Sequence, residues 1–276
     1  FWGTPLPIWS CEECDETICI GSKEELLERS GVESIQELHK PYVDYIEIDC
    51  PSPGCQQKMK RVPEVIDVWF DSGAMPIAQW HYPFENKEIF ERQFPADFIT
   101  EGIDQTRGWF YSLLAISVLL FDKPSYLSCI SLELILDKKG HKMSKSKGNT
   151  VDPFEVIDKY GADPIRWYLL AASPPWHTTR FDEEGIAETV RKFFGTYLNT
   201  FNFFAVYANI DKFDYAKSTT IPVEERTEID RWIISAMNAL VEQVDGYWAK
   251  YELTKIVRSI SDFVIDDVSN WYCLLY

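Results

Sequence analysis

Apolar positions along the chain repeat with two different periods. Beyond residue 183 the spacing is helical. Ile186, Val190, Phe193, Phe194, Tyr197, Leu198 and Phe201 form one stripe, and Ile229, Trp232, Ile233, Ala236, Leu240 and Val244 a second. Leu253, Ile256, Val257, Ile260, Phe263 and Val264 form a third. Such stripes predict helices packed into an α-helical bundle, and the polar stretch 211–222 reads as a linker. Between 63 and 182 helical and strand-like patterns alternate. "ADFITEG" reads as a buried strand running into a loop, "TRGWFYSLLAISVLLF" as a helix and "SCISLELIL" as another strand. Asp152-Pro153 opens the helix "FEVIDKY", which Gly161 closes, and Asp163-Pro164 opens "IRWYLLAA", which "SPP" closes. This alternation predicts an α/β region built on a parallel sheet covered on both faces.

Residues 10–62 form a smaller block. Ser22 and Glu25 make a capping box ahead of "KEELLERS", with Gly31 as the stop. Ser34 and Glu37 repeat the box and open a shorter turn that Pro41 closes, and "YVDYIEI" alternates as a strand does. Residues 1–9 read as extended, stiffened by Pro5 and Pro7. The expected organisation is therefore an α/β region over 1–182, with an insertion at 10–62, and a helical region over 183–276.

A length of 276 residues suits about two domains. With 46% apolar and 15% aromatic residues the chain can bury a sizeable core. Forty-four acidic residues against 27 basic ones exclude a general nucleic-acid coat protein, which needs a basic face. No apolar run is long enough for a bilayer, and no signal-peptide pattern opens the chain, so a cytoplasmic protein without a membrane partner is expected. The abrupt start at "FWGTPLPIW" and the stop at "NWYCLLY" read as a piece cut from something longer.

Against the net charge of −17, "HKMSKSKGN" at 141–149 is conspicuously basic, with Lys138 and Lys139 just upstream and Gly140 and Gly148 on either side. A mobile lysine loop after a strand can hold phosphates and meet negative charge that grows during a reaction. A solvated charged turn is the plainer reading of the same residues.

The order of residues adds to this. "KMSKS" at 142–146 is the signature of class I aminoacyl-tRNA synthetases, the match runs on through Asn149, and "GADPIRWYLL" at 161–170 resembles the segment that follows it there. "FWGTPLPIW" at 1–9, "DVWFDSGAMP" at 67–76 and "EGIDQTRGWF" at 101–110 narrow the resemblance to the isoleucyl family. It covers nearly the whole chain.

The resemblance implies the second half of a class I Rossmann-like nucleotide-binding domain, carrying a small zinc-binding insertion and followed by the start of the anticodon-binding helices. It implies an ATP-dependent ligase acting on isoleucine, ATP with Mg²⁺, and tRNA(Ile), monomeric at full length. Lys142 and Lys145 would stabilise the departing pyrophosphate, and Met143, Ser144 and Ser146 would complete the ATP-binding loop. Glu101, Gly102 and Asp104 would contact the adenylate. Trp69, Gln105 and Trp109 would line the isoleucine pocket. Core packing for each Trp and helix capping for Asp104 are the structural alternatives. Asp71 and Ser72 sit in a matched motif with no role assigned. In the family the "HIGH" half and the editing domain precede the stretch that opens this chain, so this piece alone is expected to be inactive. A valyl-tRNA synthetase segment and a non-catalytic zinc and tRNA-binding module are the competing readings.

The seven cysteines are an odd count without secretory signals, which favours reduced thiols. Cys11 and Cys14 form a CxxC pair, and Cys50 with Cys55 could complete a tetrahedral thiolate site for structural Zn²⁺. Free buried thiols are the alternative. Isoleucyl enzymes of this type carry zinc in this region, with the second pair as CxC or CxxC. The wider CxxxxC spacing bears on the fourth ligand, for which Cys19 is the substitute. Cys129 and Cys273 lie in apolar patterns and read as core. His39, His81, His141 and His177 show no metal or nucleophile-activating spacing.

Overall fold

The computed structural model describes residues 3–275, so Phe1 and Trp2 of the opening motif and Tyr276 lie outside the described residues. The chain forms two compact units, 3–99 with 104–129 and 100–103 with 130–275.

The first unit begins with a four-stranded antiparallel sheet. Its strands are β1 (Ile8–Ser10), β2 (Thr17–Cys19), β3 (Ile48–Asp49) and β4 (Lys58–Arg61), in the order β2-β1-β4-β3. Helix α1 (Lys23–Ser30) starts as its capping box predicts: Glu25 N donates to Ser22 Oγ, and the Glu25 carboxylate reaches back to the Gly21 N–H. Gly31, in the left-handed region at φ 68°, ends it.

The second capping box does not form. Glu37 bonds forward to the N–H and ring of His39 instead of back to Ser34, and no helix covers 34–40. "YVDYIEI" is likewise not one strand. Tyr42–Tyr45 is a 3₁₀ turn and only Ile48–Asp49 pairs. The turn turns Asp44 onto the guanidinium of Arg61, whose side chain is 1% exposed. Arg61 Nη1 also donates to the carbonyls of Leu6 and Glu64. A buried guanidinium demands such partners, and this local need outweighs the alternation pattern.

The sheet and α1 share a core. Trp9, Cys11, Ile20, Leu26, Ile35, Val43, Ile48, Cys50 and Met59 form one buried cluster, pinned by a Trp9 Nε1 to Ile46 O bond of 2.7 Å.

The rest of this unit is helical apart from the strands at its boundary. Helices α2 (Val68–Ala78) and α3 (Lys87–Gln93) are not foreseen by periodicity. Helix α2 is capped by Asp67, whose carboxylate accepts the Trp69 N–H at 2.8 Å. Helix α4 (Trp109–Phe121) packs on α2 at Gly73, where a Cβ would sit 2.8 Å from the Ser112 carbonyl carbon. Tyr82, Phe90, Phe94 and Phe121 form an aromatic cluster under α3, with Tyr82 and Phe90 stacked at 4.2 Å.

Strands β5 (Ala96–Gly102) and β6 (Tyr126–Leu132) pair in a two-stranded sheet, and the boundary between the units falls within them. β5 is not the buried strand its apolar run suggested: Phe98 is 47% exposed. "SCISLELIL" breaks at Glu133, whose carboxylate takes the Leu134 N–H while its own N–H bonds Pro175 O. Pairing resumes at β7 (Ile135–Leu136), which lies parallel to β8 (Thr179–Arg180).

The second unit continues with α5 (Pro153–Tyr160), capped by Asp152, and α6 (Ala162–Ala172). Helix α7 (Glu183–Thr189), capped by Asp182, passes through a π-helical turn into α8 (Gly195–Ile210). Helices α9 (Glu228–Trp248) and α10 (Leu253–Asp262) follow, and α10 runs on as a π-helix over Phe263–Tyr272. Helix α10 packs against α6 and α9. The Arg258 guanidinium donates to the last carbonyls of α6, at Ala171 (2.9 Å) and Ala172 (3.0 Å). Trp167 stacks on Phe193 at 4.2 Å and donates to Ser261 Oγ. The stripes are buried unevenly. Ile186, Phe193, Ile256 and Val257 are core, whereas Tyr197, Leu198 and Phe201 are more than half exposed. No helix among the described residues is long and apolar enough to cross a membrane.

Candidate functional site

The sheet order puts two hairpin tips side by side. β1 ends at Ser10 opposite Lys60 near the start of β4, so the β1–β2 tip carrying Cys11 and Cys14 adjoins the β3–β4 tip carrying Cys50 and Cys55. The Ser52 hydroxyl donates to Glu16 across the tips at 3.1 Å. Cys11 Sγ lies 3.7 Å from Cys55 Sγ and Cys14 Sγ 3.5 Å from Cys50 Sγ, with all four sulfurs within 4.8 Å of one another. Zinc–sulfur bonds of about 2.3 Å in a tetrahedron set neighbouring sulfurs ~3.8 Å apart, so the donor set and its spacing fit Zn²⁺. Cys19, the substitute ligand, sits at the end of β2 outside the group. The Glu16 N–H, then Ser52 and Cys50, bring the Cys14 thiol down to about 7. The Gln57 N–H pulls Cys55 down too, but desolvation and its thiol neighbours outweigh it and push that thiol up to about 12. Crowded thiols that resist sharing negative charge are the expected state of a set built to be neutralised by a cation.

Trp69, Gln105 and Trp109 converge on Gly108. A Cβ there would lie 2.9 Å from Gln105 Oε1 and 3.0 Å from Trp69 Cη2, so a larger residue would push these two side chains aside. Gln105 Oε1 accepts the Trp109 N–H at 3.0 Å and thereby serves as the cap that α4 lacks at Gly108. Asp104, expected as a possible N-cap, instead accepts from Gln105 Nε2 at 3.2 Å. Trp109 Nε1 donates to Ser72 O at 3.3 Å, which ties Ser72 to the Trp109 indole. Asp71 accepts the Thr4 hydroxyl and ties the opening stretch to α2. Trp69 remains 44% exposed. A cavity of about 290 Å³ is bounded by Trp109 and Leu113 of α4, Met75 of α2 and Phe94. In the second unit, Glu101 and Gly102 close β5, with the Glu101 carboxylate exposed.

The lysine loop leaves β7 through a tight turn. Asp137 N bonds His141 O at 2.9 Å, Gly140 stands at φ 85°, and Lys142 returns to bridge Leu136. A 3₁₀ turn over Lys145–Lys147 ends at Gly148, φ 64°. Met143 lines an apolar cavity of about 200 Å³ with Ile135, Val156, Ile165, Leu169 and Phe181, so it anchors the loop. Ser144 and Ser146 face each other at 3.3 Å. Lys138 is tied to Asp182 at 3.1 Å and Glu184 at 3.8 Å, whereas Lys142 and Lys145 are exposed and enter no ion pair among the described residues. Motif reading missed Asp137, although an Asp two residues before the second of two lysines and three before a glycine is a turn signature. The Asn149 Nδ2 to Asp137 Oδ2 bond (2.9 Å) holds the Asp137 carboxyl below its usual pKa, helped by the His141 N–H.

Comparison with known proteins adds the lineage. The family model for tRNA synthetases class I (I, L, M and V) matches residues 1–182, and that for the anticodon-binding domain of tRNA ligase matches 230–275. The isoleucine–tRNA ligase of Cytophaga hutchinsonii is 54% identical over all of this chain, and that of Clostridium acetobutylicum 53% identical over 99% of it. The chain spans about a quarter of the length of these relatives, 25% and 26%. Among solved structures, a leucyl enzyme from Agrobacterium radiobacter in a complex with tRNA superposes on 96% of this chain, and 34% of its own, with TM-score 0.71 at 22% identity. A Mycobacterium tuberculosis methionyl-tRNA synthetase with methionyl-adenylate covers 79% of this chain, and 44% of its own, with TM-score 0.61 at 19% identity. With its first 182 residues matched by that model, the chain belongs to the class I tRNA synthetases of the isoleucyl, leucyl, methionyl and valyl group.

Proposed function

We propose that this chain is a segment of an isoleucine–tRNA ligase, carrying the lysine-loop side of the ATP site and the wall of the isoleucine pocket. Identity of 54% with a ligase of that name, along the whole chain, is the observation that carries the reading. The α/β part supplies the later half of a Rossmann-like nucleotide-binding domain, and the helices from 183 onward begin the anticodon-binding bundle. The ligase works as a cytoplasmic monomer on isoleucine, ATP with Mg²⁺, and tRNA(Ile).

An isoleucine carboxylate oxygen attacks the α-phosphorus of ATP, and the bond to the bridging oxygen breaks to release pyrophosphate. The ammonium groups of Lys142 and Lys145 meet the charge that grows on that leaving group. Glu101 and Asp104 accept hydrogen bonds from adenylate hydroxyls, and Gly102 lets the backbone come close. Trp69, Trp109 and Gln105 hold the branched side chain away from water. A terminal tRNA hydroxyl then attacks the activated carbonyl and AMP departs. Cys11, Cys14, Cys50 and Cys55 would hold Zn²⁺ through four thiolates, a donor set that would cross-link the two hairpin tips and take no part in the chemistry. A binding-only module would have no use for two unpaired lysines on an anchored loop, which favours the enzyme. The isolated chain is expected to be inactive, since it spans a quarter of its relatives.

The test is amino-acid-dependent ATP–pyrophosphate exchange by the longer protein. Isoleucine should exceed valine by about 10–200-fold in kcat/KM, the discrimination an apolar pocket gives one methylene, a range for which isoleucyl enzymes are themselves the standard example. Preference for valine, or no exchange with either, contradicts the reading.

A further inference from the structure

Resting on that functional reading, we infer that Asp137 and Asn149 are positioning residues for the lysine loop, acting through its backbone without touching substrate. Together one carboxylate and one amide hold four backbone positions. Asp137 Oδ1 accepts the N–H groups of Lys139 (2.9 Å) and His141 (2.8 Å). Asn149 Oδ1 accepts the Ser144 N–H at 2.9 Å, and its Nδ2 donates to Lys142 O at 3.3 Å and to Asp137 Oδ2 at 2.9 Å. The two side chains thus clasp the loop on both sides of Met143, at Lys142 itself and one residue before Lys145.

The clasp joins segments 12 residues apart in sequence, so the loop's two ends are fixed to each other. The Asp137 side chain is only 18% exposed, which shields its bonds from competing water. Met143, held among apolar side chains, adds a third anchor. What stays free is the part the reaction needs: two lysine stems whose starting points are set and whose ammonium groups are exposed. Lysine is a flexible point charge; fixing its backbone confines that charge near the phosphates before the transition state forms. An Asp at 149 would keep the Ser144 acceptor but set a second carboxylate against Asp137, so it is a harsher change than Ala.

The experiment uses the longer protein with Asn149→Ala, Asn149→Asp and the exchanged pair Asp137→Asn/Asn149→Asp, each alone and with Lys145→Ala. The expected result is a fall in kcat for isoleucine-dependent exchange of about 10–100-fold in Asn149→Ala, with KM for isoleucine unchanged. Asn149→Asp should lose more, and the exchanged pair should recover part of it, since one Asn–Asp bond is restored. In the Lys145→Ala background the same changes should have a smaller further effect, exerted through Lys142 alone, because residues that act as a unit are not additive. Equal losses in both backgrounds would overturn the proposal. Amide hydrogen exchange over residues 139–147 supplies a readout independent of activity: Asn149→Ala should speed it, and unchanged protection would also overturn the clasp. Absence of isoleucine-dependent exchange in the wild-type protein would count against the functional reading, while the amide measurement still judges the clasp.

Discussion

Lys145→Ala in the longer protein is expected to slow isoleucyl-adenylate formation by about 10²–10³-fold, the usual effect of removing one preorganised group from a developing negative charge. Lys145 opens the 3₁₀ turn, is exposed and has no ion-pair partner among the described residues, so its charge is available to a ligand. Because the charge it meets appears as pyrophosphate departs, kcat and kcat/KM should fall together while KM for isoleucine holds. Lys142→Ala should behave alike. Lys138→Ala is the control: its ammonium is already held by Asp182 and Glu184, and its loss should change the rate by no more than a few-fold. Rapid-quench single-turnover measurements separate these cases. A Lys145→Ala enzyme as fast as wild type, or a Lys138→Ala enzyme equally slow, would remove the lysine loop from the chemistry.

Zinc removal is expected to have the largest effect on stability. At free Zn²⁺ a thousand times its Kd, binding to the folded state alone contributes about 4 kcal/mol. Chelation, or Cys14→Ser, should withdraw that amount from the block around the two hairpin tips and lower its melting temperature by roughly 10 °C or more. The block should not unfold outright at room temperature, because Trp9, Ile48, Met59 and their neighbours form a buried cluster without the metal. Metal analysis should find one zinc per chain in the wild type and none in Cys14→Ser, with Cys19→Ser retaining it. A zinc-free wild type, or a chelator that leaves melting unchanged, would leave four ordinary thiols.

Sequence patterns carried the helices well where a side-chain cap agreed with the apolar stripe. Ser22 and Asp152 each bond the N–H they face, and Gly31 and Gly161 stop their helices. They failed where a buried polar partner took over. Asp44 turns toward Arg61, so an alternating run becomes a 3₁₀ turn, and Glu37 turns toward His39, so a capping box stays open. Glu133 splits an apolar run because its own carboxylate competes for the next N–H. Helix α2 escaped notice because Gly73 and Pro76 disguise its pattern, yet Gly73 is what lets α4 approach.

The candidate site followed the same division. The four cysteines that spacing singled out meet, since the antiparallel register of β1 and β4 sets both tips at one end. Trp69, Gln105 and Trp109 were legible as a motif, but the close approach of Trp69 and Gln105 at Gly108 was not, since no periodicity marks that glycine. The lysines stood out through their charge. The Asp137–Asn149 clasp did not, because neither residue differs from an ordinary turn former until the backbone groups it holds are seen.

A crystal structure of the longer protein with a non-hydrolysable isoleucyl-adenylate analogue tests the central claim most directly. The branched side chain should lie against the indoles of Trp69 and Trp109 beside Gln105. Density for that side chain elsewhere, with both indoles untouched, would contradict the account.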